Sequence, residues 1–570
     1  MTPGDPQFSI RAVAAGSLLG ALVLSMNLYF GLRTGWSVDG SIVSAVLAFM
    51  AFRLVRAKRP LSIFETNLAQ TAGSAAGTMA TAAGLLSAIP AMELSGRTFG
   101  WFELALWTGS VAWLGIFFAV PLRRRMLGAE GLVFPSGRAT ADTIRALHSG
   151  PAEARSARAL VWFALAAAAF TLGRHFAPKI ESPPLHVWFP FLGVAAAYSF
   201  TLLVSPMMFG AGGLAGLRIG TSLLIGSILG WGLLAPWVER QGWVGPQTMS
   251  YASGARGWIL WVGVGVMVAE ALAQLALDSR LVLATFRARG APAAAGAESI
   301  PTAWWVLGLA GASAATTAAA RHVFGIPVAM SLLAIALSAV LAAIAIRVVG
   351  ETNFNPVGGL GKVTQLVYGA IAPGRFETNL MTAAITAAGA AQAGDVMQDL
   401  ETGRILGASP RRQLLAQLAG AAVGVAAGVP IYRLLVAAHG LGGTVLPAPG
   451  AQAWKAMADV LTQGLGALPP GAPAGVAVGA AVGVLLPSLR RGIPRLEPYV
   501  PSGLAIGLAF ILPASYSIAV FLGAAAFALA ARRAPARAGA LGYAASGLVA
   551  GEGLMGVATS VLALMGIPGG

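Results

Sequence analysis

The sequence predicts an all-α, polytopic membrane protein of about 16 transmembrane helices, with two sequence-related halves and broken or re-entrant helices. Of the 570 residues, 57% are hydrophobic and 10% are charged, whereas soluble domains carry roughly 25% charged residues. The hydrophobic residues form runs of span length, and they suffice for about 16 spans of about 20 residues each. A five-residue motif also occurs twice. These observations exclude an ordinary water-soluble fold of this size.

The apolar runs fall into two series, which a basic, Ala-rich stretch separates. The first series places spans near 10–30, 38–55, 66–90, 101–121, 157–177, 186–206, 216–236 and 257–279. The second series places them near 302–320, 324–348, 376–396, 412–437, 471–488, 499–530 and 539–567. Two half-apolar segments between spans, Val133–His148 and Glu351–Gly369, are broken by glycine and proline. We expect re-entrant or discontinuous helices there, which need protein or a wet cavity around them.

Two short motifs recur and divide the chain into related halves. Phe64–Leu68 is repeated as Phe376–Leu380, and Pro135–Gly137 is repeated as Pro501–Gly503. Internal duplication is typical of secondary transporters, whose sites lie on interrupted helices between the repeats. The sequence leaves open whether these repeats are inverted or parallel. The predicted domains are a first half at 1–280, a cytoplasmic linker at 281–301 and a second half at 302–570.

The formal net charge of +16 reflects membrane topology and does not indicate nucleic acid. The basic residues form short clusters between apolar runs, as in cytoplasmic loops, and this pattern predicts a cytoplasmic N-terminus. Met1–Arg11 is too polar for a signal peptide, and the apolar run after it is long enough to remain as a span. Because the sequence has no cysteine, disulfides and thiolate metal sites are excluded.

Amide, hydroxyl and guanidinium side chains lie where the apolar runs are interrupted, and they are candidates to bind a polar ligand. Gly31 and Gly35 allow the backbone to bend and expose carbonyl groups. The alternatives are an interfacial aromatic belt, close helix packing bridged by polar side chains and, for Arg138, a solvated helix paired with Asp142. The candidate substrate-binding residues are Asn27, Tyr29, Thr34, Asn67, Gln70, Arg138, Asn353, Asn355, Gln365, Asn379 and Tyr516.

Five carboxylates in or beside apolar runs are candidates to carry protons. An acid at the centre of a membrane helix costs about 2.5–3.5 kcal/mol, so it should face a cavity, pair or have a task. The alternatives are a helix N-terminus, which favours a negative charge, and a cytoplasmic helix end near Arg404. The proton-coupling candidates are Glu65, Glu377, Asp395, Asp399 and Glu552.

No enzymatic signature is present in the sequence. There is no HExxH motif and no P-loop, and the five histidines show no ligand spacing. We therefore expect no enzyme activity, no cofactor and no metal site built by the protein. A metal, if one is involved, should arrive already bound in its carrier.

Seven motifs, in order along the chain, resemble the oligopeptide transporter family, which includes the yellow-stripe-like metal-chelate transporters. They begin at Asn27 (NLYFGLRTGW), Phe64 (FETNLAQTAGSAAG), Phe134 (FPSGRATADTIRALH), Glu351 (ETNFNPVGGLGKVTQLVYG), Ala393 (AGDVMQDLETGRILGASPRRQ), Tyr499 (YVPSGLAIGLAFILPASYS) and Gly551 (GEGLMG). The chain departs from the family pattern at Arg138, where a small polar residue is expected, and at Glu401, where a lysine is expected. Arg138 would shift substrate preference toward anions if it faced a cavity.

The resemblance, to the bacterial branch of the family, implies import of small peptides or metal chelates together with protons. It implies about 16 helices, alternating access between two halves, and a multi-pass location in the inner membrane. On this hypothesis, replacing Glu552 or Glu65 with Gln uncouples uptake from the pH gradient. A passive channel for small solutes is the alternative, and an intramembrane enzyme would need a catalytic constellation that the sequence lacks. The oligomeric state is open, with a homodimer as one option.

Overall fold

The structure is a computed structural model that describes residues 8–567, apart from 39, 55–58, 83, 130–131, 150, 184–192, 252, 278–299, 353–356, 465, 467 and 536–537. Within the described residues all regular secondary structure is helical, and no strand is present. The all-α class is therefore confirmed. The predicted linker at 281–301 lies almost entirely outside the described residues.

The helices up to residue 277 begin with a long span and include several short pieces. In order they are α1 (Ile10–Thr34), α2 (Gly40–Leu54), α3 (Ile63–Gly77), α4 (Met79–Ala82), α5 (Ala88–Glu93), α6 (Trp101–Arg123), α7 (Pro135–Ser149), α8 (Pro151–Phe176), α9 (Gly193–Ala197), α10 (Pro206–Ala215), α11 (Leu217–Ser227), α12 (Ala235–Arg240) and α13 (Ala255–Leu277). A π-helix, Ile228–Leu234, joins α11 to α12.

The helices after residue 300 are longer on average. In order they are α14 (Thr302–Phe324), α15 (Val328–Thr352), α16 (Val357–Ile371), α17 (Phe376–Leu406), α18 (Pro410–His439), α19 (Pro449–Gln463), α20 (Ala472–Gly492), α21 (Gly503–Ile511), α22 (Ala514–Arg533) and α23 (Ala538–Leu564).

Ten helices of the described residues are long and apolar enough to cross a membrane. They are α1, α6, the part of α8 from Arg158, the continuous run Leu217–Arg240, α13, α15, α18, α20, α22 and α23. Each provides the roughly 20 residues that span a hydrocarbon core of about 30 Å. The chain is therefore a multi-pass membrane protein, whereas the figure of about 16 crossings stays a prediction.

The segment predicted as one span at 66–90 is instead three helices, α3, α4 and α5. Its start is fixed by a capping box, in which Ser62 accepts from the Glu65 N–H and the Glu65 carboxylate accepts from the Ser62 N–H. Gly84 interrupts the later part with a φ of +72°, in the left-handed region that favours glycine. The structure therefore contains an interrupted helix where periodicity predicted a continuous one.

Two more predicted spans are also interrupted. The span at 499–530 is divided into α21 and α22 at Leu512, which is extended and precedes Pro513. Residues before proline avoid the helical conformation, which accounts for this break. In the described part of 186–206, α9 is short and non-helical backbone precedes Pro206, so this segment is not one helix.

The two segments that we expected to be re-entrant or discontinuous each contain a helix of 15 residues. α7 is amphipathic, with Ile144 and Leu147 buried and Arg138, Asp142 and Arg145 exposed. α16 follows Asn353 and Asn355, which lie outside the described residues. At 1.5 Å per residue, neither helix is long enough to cross the bilayer alone.

The chain forms two compact units, and segments of the two units alternate along the sequence. The first comprises residues 1–31, 36–155 and 278–433, and the second comprises 32–35, 156–277 and 434–570. Both copies of the Phe-Glu-Thr-Asn-Leu motif begin helices of the first unit, α3 and α17. The division into sequence-related halves at 1–280 and 302–570 stays a prediction.

Within the first unit, α17 is the central helix. It packs against α3, α6, α7, α15 and α16, and nearly all of its 31 residues are buried. Small residues allow close approach nearby, since a Cβ added at Gly420 of α18 would lie closer than 3.0 Å to the carbonyl oxygen of Ala72 in α3. This close packing brings the polar residues of α3, α17 and α18 together.

Within the second unit, α13 packs against α20 and α21, while α10 packs against α22 and α23. Glycines again mark the tightest crossings. A Cβ at Gly551 of α23 would clash with the backbone of Ala164 in α8, and one at Gly212 of α10 would clash with Val520 in α22. The glycine of the GEGLMG motif that precedes Glu552 therefore has a packing function.

We expect Gly420→Ala to destabilise the protein, because the added methyl group overpacks the crossing of α18 and α3. The free energy of unfolding should fall by about 1–3 kcal/mol. The matched control is Gly311→Ala in α14, where nothing lies within 4 Å of the added Cβ. There, alanine should stabilise the helix by about 1 kcal/mol. Thermal unfolding in detergent measures both changes, and equal midpoints for the two variants would contradict the packing assignment.

Candidate functional site

A buried polar cluster surrounds Asp399 in the first unit. Asp399 on α17 is 1% exposed. Its Oδ1 accepts hydrogen bonds from Ser41 on α2, at 3.2 Å, and from the amide of Gln70 on α3. Its Oδ2 accepts from Nε2 of Gln417 on α18, at 2.6 Å. Three neighbouring helices thus direct polar side chains to one carboxylate of α17.

The cluster continues along α18 and α3 at one-turn spacing. Gln413, one turn before Gln417, donates to the backbone oxygen of Asp399 at 2.7 Å and contacts Thr71 at 3.4 Å. Ser74, one turn after Gln70, lies 3.1 Å from the Ser41 hydroxyl. Residues four apart share a helix face. We call Asp399, Ser41, Gln70, Gln413 and Gln417 the Asp399 cluster.

Two of the predicted binding residues present buried amide atoms that no described residue satisfies. Asn67 and Asn379 occupy the same position of the two motif copies, and both are fully buried. Neither amide atom of Asn67 has a hydrogen-bond partner among the described residues, and the same holds for Oδ1 of Asn379. Nδ2 of Asn379 donates to the Gln365 backbone at 2.7 Å. A buried polar atom without a partner costs about 1–3 kcal/mol of free energy. A hydrogen bond from these atoms to a polar ligand or to water would recover that free energy.

A second buried cluster, in the second unit, surrounds Glu552 on α23. Glu552 is fully buried, and its Oε1 lies 3.2 Å from Nη1 of Arg33 and 2.9 Å from Nη1 of Arg174. Ser205 donates to both carboxylate oxygens at 2.9 Å, and the Met207 N–H donates to Oε2 at 2.8 Å. Because Met207 belongs to the first turn of α10, the helix dipole also favours this negative charge.

Glu181 and Tyr516 complete the second cluster. Glu181 Oε1 lies 3.2 Å from Arg33 Nη2 and 2.9 Å from Arg174 Nη1. The Tyr516 hydroxyl accepts from Arg33 Nη2 at 3.0 Å, and it contacts the Thr444 backbone oxygen at 3.5 Å. We call Glu552, Arg33, Arg174, Glu181 and Ser205 the Glu552 cluster.

Glu552 and Tyr516 were predicted from the sequence as site residues, but their partners were not. Arg33 lies inside the NLYFGLRTGW motif, and Arg174 lies near the end of a predicted span. The available signal was charge balance, because a buried carboxylate requires a cation and both arginines interrupt apolar runs. Ser41, Gln413 and Gln417 were likewise missed. The two glutamines, four residues apart in an apolar run, were the signal for a polar helix face.

The other predicted residues have varied environments. Glu65 forms an ion pair with Arg11 at 2.8 Å, in addition to its capping bond at the start of α3. Asn27 is buried and bonds the backbone of Val38 and Gly77 through its amide. Tyr29 and Thr34 are buried, Glu377 and Asp395 are half-buried, and Arg138 is exposed.

The departure at Glu401 also has a local explanation. Glu401 is fully buried, and both of its carboxylate oxygens pair with the guanidinium of Arg404, at 2.6 and 2.7 Å. The described residues contain no group of three or more His, Cys, Asp or Glu side chains with the arrangement of a metal site.

The family assignment rests on a match along almost the whole chain. The family described as OPT oligopeptide transporter protein matches residues 7–563. The chain belongs to the oligopeptide transporter family. The resemblance inferred from the seven motifs is therefore confirmed.

The oligopeptide transporter family includes relatives named for two kinds of cargo. A candidate oligopeptide transporter of Saccharomyces cerevisiae is 29% identical, over 74% of this chain and 76% of its own length. A candidate oligopeptide transporter of Haemophilus influenzae is 25% identical, over 74% of this chain and 72% of its own. A candidate metal-nicotianamine transporter of Oryza sativa subsp. japonica is 26% identical, over 100% of this chain and 92% of its own.

Truncating Glu552 in this family member should strongly reduce stability. Glu552→Ala leaves two buried guanidinium groups short of a carboxylate, which costs about 3–5 kcal/mol. Glu377→Ala is the control, since this half-buried carboxylate in the first turn of α17 contributes about 0.3–1 kcal/mol through the helix dipole. The unfolding midpoint in detergent measures both effects. A loss for Glu552→Ala no larger than that for Glu377→Ala would contradict the ion-pair assignment.

His148 on α7 should make stability depend on pH. Its Nε2 lies 2.9 Å from the Thr66 hydroxyl, its ring packs against Phe49, and burial lowers the pKa of His148 below its usual value. The neutral form is favoured in the folded state, so stability is fully present above about pH 6.5 and is lost as the pH falls through the lower folded pKa.

We therefore expect His148→Gln to reduce the fall in unfolding midpoint between about pH 7.5 and about pH 5. His322→Gln, at an exposed histidine of α14, is the control and should keep the wild-type pH dependence. Identical pH profiles for His148→Gln and the wild type would refute this role of the buried imidazole.

Proposed function

We propose that this protein imports small oligopeptides or peptide-like metal chelates by proton symport, with alternating access to the two sides of the membrane. Membership of the oligopeptide transporter family supports transport, and relatives named for oligopeptides and for metal-nicotianamine support the two substrate classes. We propose transport and not catalysis, in keeping with the names of these relatives.

Asp399 is the observation that carries the proposal of proton coupling. Its carboxylate is 1% exposed, and the donors to its two oxygens include the uncharged side chains of Ser41, Gln70 and Gln417. Amides and hydroxyls can both accept and donate, so these three groups can keep a hydrogen bond to Asp399 when it takes up a proton. Glu552, in contrast, pairs with the two guanidinium groups of Arg33 and Arg174. We therefore assign proton coupling first to Asp399.

The unsatisfied amides of the first unit support a peptide-like substrate. Asn67 and Asn379 each carry a buried amide atom without a partner among the described residues, and Asn379 donates to the backbone oxygen of Gln365. An amide side chain both donates and accepts, which matches the N–H and C=O groups of a peptide backbone. These three residues, with Gln70, form the proposed substrate contacts of the first unit, and Tyr516 is a proposed contact of the second.

The remaining assignments are also proposals. Glu65, Glu377 and Asp395 stay candidates for proton transfer, and Asn27, Tyr29, Thr34, Arg138, Asn353 and Asn355 stay candidates for substrate contact. The basic loops support an inner-membrane protein with a cytoplasmic N-terminus. A homodimer stays an option that no described contact addresses.

Purified protein in liposomes should accumulate labelled trialanine or an iron–nicotianamine chelate above equilibrium when the outside is acidified. Asp399→Asn keeps the shape of the side chain but cannot bind and release a proton. This variant should equilibrate the substrate without accumulation. Asp459→Asn, at a carboxylate of α19 paired with Lys455 at 2.7 Å, is the control and should accumulate substrate as the wild type does.

Accumulation by Asp399→Asn at the wild-type level would remove Asp399 from the coupling mechanism. Wild-type uptake that responds to acid outside but never exceeds equilibrium would favour the passive channel. Broken helices, such as those around Gly84 and Pro513, are compatible with either pathway, so this transport assay distinguishes the two functions.

A further inference from the structure

The two carboxylates of the Glu552 cluster are held very differently, although both pair with Arg33 and Arg174. We infer that Glu181 occupies an anion subsite formed by the two guanidinium groups, and that a carboxylate of the substrate displaces it there. This inference rests on the proposed import of peptides or chelates. It names the substrate group that the second unit recognises.

Glu552 is the fixed anion of the cluster. It is fully buried, it pairs with both arginines, and it accepts from the Met207 N–H and from the single Ser205 hydroxyl, which lies 2.9 Å from both carboxylate oxygens. Without this carboxylate, two guanidinium groups, one hydroxyl and one helix N-terminus would lose their hydrogen-bond acceptor. Glu552 therefore stays in place and neutralises one of the two positive charges.

Glu181 is the exchangeable anion. Its side chain is 28% exposed, against 5% for Arg33 and 7% for Arg174. Its described side-chain bonds are to these two guanidinium groups. Its backbone oxygen separately accepts the Val204 N–H at 2.8 Å, next to Ser205. The side chain can therefore rotate away from the two arginines while the backbone of this turn keeps its position.

Arg33 would keep its orientation after Glu181 leaves. The Tyr516 hydroxyl accepts from its Nε at 3.3 Å and from its Nη2 at 3.0 Å, and its guanidinium carbon lies 5.5 Å from the Tyr516 ring. Nη1 stays on Glu552. A guanidinium group held in this way is preorganised for another carboxylate, which it binds with charge-assisted hydrogen bonds.

Charge balance identifies the ligand class. The described cluster pairs two guanidinium groups with two carboxylates, so departure of Glu181 removes one of its two negative charges from a mostly buried site. A ligand carboxylate restores neutrality, whereas a neutral amide leaves a buried charge unpaired, at a high cost. The C-terminal carboxylate of a peptide and a carboxylate of a metal chelate share this chemistry.

The test compares ligands with and without the carboxylate on full-length protein in detergent. The probes are trialanine, trialanine amide and an iron–nicotianamine chelate, and the measurement is the dissociation constant by calorimetry. Glu181→Gln removes the internal competitor, so trialanine should bind about tenfold more tightly than to the wild type, as loss of a charged hydrogen-bond competitor implies. Binding of trialanine amide should stay unchanged.

Two variants control for other effects. Asp459→Asn removes a carboxylate that is 22% exposed and paired with Lys455 in the same unit, and it should alter none of the affinities. Arg174→Lys keeps the charge but loses the planar fork, so the preference for trialanine over its amide should fall. The comparison of probes also distinguishes the two ligand sources. If trialanine binds more tightly to Glu181→Gln, the subsite binds peptides, and if the chelate binds more tightly, the subsite binds chelates.

The inference is overturned if Glu181→Gln leaves the affinity for both acids unchanged, or if it shifts trialanine and its amide equally. Wild-type accumulation of trialanine in liposomes, combined with either result, would reject the anion subsite and leave the transport proposal standing. Absence of binding by all three probes to the wild type and to Glu181→Gln would reject both.

Discussion

Ionised side chains buried among apolar helices must find their partners inside the protein, since hydrocarbon offers none. Asp399 and Glu552 are 1% and 0% exposed, and each depends on donors from several helices. Amide and hydroxyl groups surround the first, and guanidinium groups surround the second. This difference in donors separates their chemistry, because neutral donors tolerate a change in protonation and cationic donors oppose it. The proposed division between proton coupling and anion binding follows from it.

The polar clusters require helices to lie unusually close, and small residues make this possible. Gly420 against Ala72 brings α18 to α3, so Gln417 reaches the same carboxylate as Gln70, and Gln413 reaches the backbone oxygen of Asp399. Gly551 against Ala164 brings α23 to α8, so Glu552 reaches Arg174. Gly551, next to Glu552, is thus as important for forming the ion pair as the acid itself. The Ala-rich and Gly-rich composition forms no recognisable motif in the sequence, yet it sets the distances between the packed helices at both clusters.

The sequence predicted the class, most long helices and the buried acids Asp399 and Glu552, because hydrophobicity and isolated charges are local signals. It did not predict Arg33 and Arg174 as partners of Glu552. Arg33 and Glu552 are 519 residues apart, and no local pattern encodes such a pairing. The breaks at Gly84 and Leu512 were also missed, since apolar periodicity continues across them. For Glu65, the sequence left a helix N-terminus as an alternative to proton coupling, and the structure shows it in a capping box with Ser62, three residues earlier.

The interleaving of the two compact units has a consequence for biogenesis. α6 packs against α14 and α17, yet residues 156–277 of the other unit are synthesised between them. During translation, α3 to α7 must therefore persist in the bilayer without the central helix α17 that later packs against them. The order of synthesis and the order of assembly thus differ in this chain, and the face of α6 at Gly115 stays uncovered until Gln392 of α17 has been made.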